Sequence, residues 1–137
     1  MPRFVLLRHE TPTGAPRPSH WDFMCERNGE LATWAIEQLP TAWAARLGMS
    51  VPDVANCTVP ALPLPAHRLA YLDCEGPVSG NRGHVTRSDG GEYEVIAWEP
   101  GEVQLELHGE RLAGRVNLTR DDPAADTWRL CVGAQDG

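Results

Sequence analysis

Val103-Gln104-Leu105-Glu106-Leu107 and, beyond His108-Gly109, Leu112-Ala113-Gly114-Arg115-Val116-Asn117-Leu118 carry the clearest pattern in the chain. Val103, Leu105 and Leu107 alternate with Gln104 and Glu106, while Leu112, Gly114, Val116 and Leu118 alternate with Ala113, Arg115 and Asn117. A period of two sends successive side chains to opposite faces of a strand. Two such runs on either side of a turn therefore predict an antiparallel hairpin with one buried face.

Working outward, the same reading recurs in shorter form. Phe4 to Leu7 is an apolar strand ending at Arg8-His9, followed by a loop containing Pro12, Gly14, Pro16 and Pro18. His20 to Glu26 and Glu30 to Ile36 read as strands joined at Asn28-Gly29, a hairpin signal because both residues tolerate positive φ. Thr41 to Leu47 is a short helical candidate. Val51 to Pro65, with Pro52, Pro60, Pro63 and Pro65, reads as irregular. His84 to Arg87 is a strand, Ser88-Asp89-Gly90-Gly91 a turn, Glu92 to Trp98 a further strand, and Trp128 to Val132 the last one. Many short strands broken by Gly and Pro predict a mainly β domain, a barrel or sandwich. We take the compact antiparallel β-barrel with one or two short helices, spanning residues 1–137 as one domain.

Composition narrows the function. Apolar residues at 42% and charged residues at 23% place the chain among globular proteins. The longest apolar run, Phe4 to Leu7, is far too short to span a bilayer, and no signal-peptide cleavage site follows it, so a cytoplasmic protein is expected, and we take it as a monomer. Cys25, Cys57, Cys74 and Cys131 form no C-x-x-C pair and are expected to be buried free thiols. All 12 basic residues are arginine, which excludes Schiff-base and nucleotidyl-lysine chemistry. A net charge of −7 argues against a protein that coats nucleic acid, but is compatible with a small site handling one strand end.

Chemistry concentrates in Ser19-His20-Trp21-Asp22-Phe23. On a strand His20 and Asp22 share a face, with Cβ atoms roughly 6.5 Å apart, so imidazole and carboxylate can converge on one ion. Trp21 and Phe23 point the other way, into a core. His9, at the end of the preceding strand, supplies a second nitrogen. Two His and one carboxylate suit Mn²⁺, Fe²⁺, Co²⁺ or Zn²⁺ and leave positions open for water and substrate. An isolated H-x-D is a weak signal, since His and Asp on a strand are usually just solvated.

A longer ordered set of motifs sharpens this. His20-Trp21-Asp22-Phe23, Asn28-Gly29-Glu30-Leu31 and Thr33-Trp34-Ala35-Ile36 resemble H-Y-D-F-R-L-E, D-G-V-L and S-W-A-V of the 3′-phosphoesterase family of bacterial DNA ligase D. Arg8-His9-Glu10 is similar to its Q-K-H segment, His67 to Gly76 to its H-P-L-D-Y-x-x-F-E-G, and Gly80-Asn81-Arg82-Gly83 to its G-N-Y-G. Near the end, Gly101-Glu102-Val103 and Leu107 to Gly114 resemble G-x-L and L-x-G-x-K-L-x-G. The order holds from about residue 3 to residue 132. The resemblance implies a compact β-barrel that removes a 3′-terminal ribonucleoside and then the 3′-phosphate from DNA ends in repair, usually with Mn²⁺. It implies His9, His20 and Asp22 as metal ligands, His67 as a phosphate-binding residue active in proton transfer, and Tyr71 as a phosphate hydrogen-bond donor.

The pattern also breaks. Met24 stands where the family has the arginine of H-Y-D-F-R, Gln38 near its lysine after W-A-V-P, and Thr58 to Ala61 near its basic K-R-L-A. Arg8, Arg17, Arg68 or Arg82 are the candidates to restore positive charge at the phosphate. His84 and His108 match no ligand position and are expected to be structural or exposed. Three readings stay open: a metal-dependent 3′-phosphoesterase, a catalytically weakened module binding nucleic-acid ends or a protein, and an Fe²⁺ facial-triad oxygenase built on His20, Asp22 and His67. With no polymerase or ligase segment fused to it, the chain is expected to stand alone and act beside separate repair enzymes.

Overall fold

The computed structural model describes residues 2–15, 17–51, 56–73, 75–78, 83–122 and 127–133. Arg82, Cys74 and the Gly80-Asn81-Arg82 part of the glycine motif lie outside them. The elements are β1 (Arg3–Glu10), β2 (His20–Arg27), β3 (Glu30–Ile36), α1 (Thr41–Arg46), β4 (Thr58–His67), a 3-10 turn (Leu69–Asp73), β5 (Gly76–Pro77), β6 (His84–Glu99), β7 (Glu102–Gly109), β8 (Ala113–Arg120) and β9 (Trp128–Val132). Strand order is β1-β2-β3-β4-β9-β8-β7-β6-β5, and a β1–β6 pairing closes the sheet. The result is an eight-stranded antiparallel barrel with β5 appended to β6. Closure leaves the wall no long free edge.

The β7–β8 hairpin forms as its period requires, with Val103 opposite Leu118 and Leu105 opposite Val116. These side chains point inward and join Phe4, Leu6, Trp21, Phe23, Cys25, Trp34 and Ile36 in the interior core. Helix α1 adds Trp43, whose ring centroid lies 5.6 Å from that of Phe23. Asn28 (φ 53°) and Gly29 (φ 80°) make the tight β2–β3 turn.

A second, smaller cluster lies on the outer face of β1 to β3. Val5, Leu7, Met24 and Leu31 are covered there by Leu72 of the 3-10 turn, with Leu69 and Tyr71 packed against them. The turn is tied to the wall by an Arg3–Asp73 ion pair of 3.2 Å and by the Arg87 guanidinium donating to the Leu72 carbonyl.

Two elements differ from the sequence reading. Residues 58–65, part of the 51–65 stretch expected to be irregular, lie in β4 (Thr58–His67) despite its three prolines. Thr58–Ala61 pairs with β9, and Leu62–His67 pairs with β3. Each half has a strand on one side only, so a proline lacking N–H costs no ladder bond on the other. Residues 88–91, expected to turn the chain, lie inside the continuous strand β6. There the register against β1 shifts between Leu6 and Leu7. The glycines serve close approach instead: a Cβ on Gly91 would stand 2.5 Å from the His108 carbonyl oxygen. The cysteines also divide: Cys25 is buried, Cys131 partly so and Cys57 exposed, each a free thiol. Among the described residues no helix is long and apolar enough to cross a membrane.

Candidate metal centre

The β1–β2 register sets His9 directly opposite His20 and Leu7 opposite Asp22. His9, His20 and Asp22 therefore occupy adjacent and diagonal places on one face. That face is the outer one, shared with Val5, Leu7 and Met24. The two imidazole centroids lie 5.0 Å apart. One ligand atom from each of His9, His20 and Asp22 lies within 4.8 Å of the other two. His20 Nε2 is 3.1 Å from Asp22 Oδ1, and His9 Nδ1 is 3.9 Å from Asp22 Oδ2.

An isolated H-x-D would ordinarily be solvated, yet His20 is 3% and Asp22 4% exposed. Buried polar groups require partners. His20 Nδ1 lies 2.9 Å from the Pro18 carbonyl oxygen, to which only a protonated nitrogen can donate. In the neutral ring that leaves the Nε2 lone pair facing Asp22 Oδ1, so two acceptors meet at 3.1 Å. Asp22 Oδ1 has no hydrogen-bond donor among the described residues. The contact becomes favourable when a proton or a cation sits between them. Burial works to lower the pKa of His20, but the hydrogen bond to Asp22, the Pro18 carbonyl and the Asp22 charge together outweigh it. The net shift is upward, against a smaller opposing effect of Arg17.

His67 ends β4 opposite Leu31 and lies close to Thr33, on the same outer face. Its Nδ1 is 3.1 Å from Thr33 Oγ1 and 3.0 Å from the Pro65 carbonyl oxygen. The Thr33 hydroxyl donates to the Leu31 carbonyl at 2.9 Å, so its oxygen accepts from His67. Nδ1 thus carries the proton and Nε2 is left for a ligand. Tyr71 stands edge-on to His67, with centroids 5.3 Å apart. Met24, the register partner of Thr33, is 1% exposed.

Of the arginines, Arg8 alternates to the opposite face from His9 and stacks over Trp21, its guanidinium carbon 4.1 Å from the ring centroid. That placement takes it away from the phosphate role considered for it. Arg82 lies outside the described residues. Arg68 is exposed beside His67, and Arg17 is exposed near His20. His84 and His108 are exposed, the latter 3.7 Å from Glu94. His67 stands outside the converging group, so His20, Asp22 and His67 do not form the triad of the oxygenase reading. Sequence reasoning missed Pro18 and Thr33 as the groups that orient the two histidines. A carbonyl carries no sequence signal. The hydroxyl of Thr33 did have one, since it stands at the Ser of S-W-A-V.

A family model described as DNA Ligase D 3′-phosphoesterase domain matches residues 8–120. The multifunctional non-homologous end joining protein LigD of Mycobacterium bovis is 31% identical over 132 residues, covering 91% of this chain and 15% of that protein. Its Pseudomonas aeruginosa counterpart is 31% identical over 149 residues, covering 98% of this chain and again 15% of the relative. The chain thus spans about 15% of the length of the relatives it matches. It belongs to the DNA ligase D 3′-phosphoesterase domain family.

Proposed function

We propose that this chain is a metal-dependent phosphoesterase that trims 3′-phosphate and 3′-ribonucleotide ends of DNA during repair in the cytoplasm. The observation that carries the reading is the convergence of His9, His20 and Asp22 on the same outer face as His67.

The donor set fits a divalent cation. Two imidazole nitrogens and a carboxylate suit Mn²⁺, and also Zn²⁺, Co²⁺ or Fe²⁺, and the Asp22 oxygen without a donor is the kind of atom a cation satisfies. When bound, the cation polarises a phosphoryl oxygen and neutralises charge developing there. The chain's own residues do the rest. Pro18 fixes the His20 ring so that Nε2 faces the site. Thr33 and Pro65 fix His67 so that its Nε2 can contact phosphate and, when protonated, give its proton to the leaving oxygen. We read Tyr71, edge-on to His67, as the hydrogen-bond donor to a phosphate oxygen. The partners are 3′ ends of DNA or RNA–DNA and a repair ligase or polymerase.

A Mn²⁺ titration against 3′-phosphate and 3′-ribonucleotide ends, with Asp22→Ala as control, tests this. Metal-dependent release that the substitution abolishes supports the reading, and equal activity in both proteins refutes it. One observation favours a weaker second reading, an end-binding module without turnover. Met24 is buried under Leu72 where the resemblance puts a phosphate-gripping arginine. Losing such a contact costs about 3 kcal/mol of transition-state stabilisation. Intact metal binding with no release at any Mn²⁺ concentration would select that second reading.

A further inference from the structure

Strand β6 carries a bulge that the metal centre does not use. Leu6 pairs with Asp89 and Leu7 with Arg87, so Ser88 is an extra residue in the ladder. On a regular strand, residues two apart share a face. Here the bulge sends them to opposite faces. Asp89 stands opposite Leu6 of the interior core, is buried, and accepts the Leu112 N–H at 2.8 Å. Arg87 stands opposite Leu7 of the outer cluster, on the face that the 3-10 turn covers. Gly90, opposite outward-facing Val5, keeps its path clear, since a Cβ there would lie 2.5 Å from Arg87 Nη2.

Arg87 meets the chain around the end of the 3-10 turn at three points. Its backbone N–H donates to the Glu75 carboxylate at 3.0 Å. Its guanidinium donates to the Leu72 carbonyl at 3.4 Å and stands 3.9 Å from the Asp73 carboxylate, which Arg3 also holds at 3.2 Å. Tyr71 immediately precedes Leu72, and its ring is edge-on to His67. We infer that Arg87 is a positioning residue, which fixes the end of the 3-10 turn on β6 and so sets Tyr71 against His67. The inference rests on the phosphoesterase reading of Tyr71 and adds to it the means by which that side chain is held. Burial of Leu72 fixes how deep the turn sits, but apolar contact is non-directional and leaves its rotation free. A short 3-10 turn has few bonds of its own to resist rotation. The directional contacts from Arg87 supply that restraint. Partly exposed ion pairs add little to stability, so losing them is read at the site rather than in the fold.

Two variants break the tether by different routes. Arg87→Met keeps the stem and removes the guanidinium. Gly90→Ala leaves Arg87 in place and displaces its guanidinium, the free end of a flexible side chain, at a position without positive φ. In the full chain without metal, both should move the His67 ring-proton NMR shifts toward those of Tyr71→Leu, with the urea midpoint close to the parent's. Unmoved His67 shifts overturn the inference. With Mn²⁺ and a 3′-phosphate end, Arg87→Met should lower kcat about tenfold with KM little changed, and should cost nothing more in a Tyr71→Phe background. Losses that multiply in the double variant overturn it as well, because Arg87 would then not act through Tyr71. The parent reading fails separately: a parent chain that releases no phosphate removes the phosphoesterase and leaves the NMR comparison to decide the tether.

Discussion

His20 shows how a residue identified by spacing acquires its chemistry from neighbours that spacing does not reveal. The H-x-D pattern placed His20 and Asp22 on one face, and the structure keeps them there, 3.1 Å apart. What it adds is burial and the Pro18 carbonyl, which select the tautomer. The raised pKa sets a sign. A folded value above the ordinary 6.5 means that the protonated ring stabilises the metal-free protein. That contribution is fully present below 6.5 and is lost as pH rises through the folded value. A cation takes the neutral ring, so metal affinity should fall as pH drops through the same raised value, with one proton released on binding. Calorimetry in buffers of different ionisation enthalpy reads that proton, and affinity unchanged across the range would contradict it. Thr33 makes a second test. Thr33→Val keeps the volume but removes the oxygen that holds His67 Nδ1. We expect kcat to fall about tenfold with KM little changed, whereas a purely structural role would lower stability and leave kcat alone. Met24 was legible as a lost arginine. Its burial under Leu72 was not, because nothing local says that the 3-10 turn folds back over β2.

At the scale of elements, the hairpins were readable because their signals are local. Period two in β7 and β8 fixed their faces, and Asn28-Gly29 fixed the β2–β3 turn. Gly29→Ala meets no atom within 4 Å, so its cost is that of a left-handed backbone alone, about 1 kcal/mol. Urea denaturation measures it, and an unchanged midpoint would show that the turn is not held in this conformation. β4 and β6 were not readable for the opposite reason. Proline marks a break only if a strand needs both edges, and β4 uses one edge at a time. Glycine marks a turn only if the chain reverses. In β6 it clears space for a neighbouring strand, a demand made by residues far away in sequence.

For the whole molecule, closure of the barrel brings the site together. β1 pairs with β2 on one side and β6 on the other, which fixes the strand carrying His9 beside the strand carrying His20 and Asp22. Gly91 is a sensitive point of that closure. A Cβ there would lie 2.5 Å from the His108 oxygen and 2.7 Å from Gly109 Cα, both backbone atoms of β7. Gly91→Ala should therefore cost roughly 3 kcal/mol, well above Gly29→Ala, although the left-handed residue is Gly29. Equal losses in the two variants would mean that β6 and β7 can part without strain. The central claim is that His9, His20 and Asp22 hold one cation. Isothermal titration of Mn²⁺ into the full chain and into Asp22→Ala tests it most directly. The parent should bind one ion per chain, with binding lost or weakened at least a hundredfold in the variant. Equal binding by both proteins, or none by the parent, would contradict it.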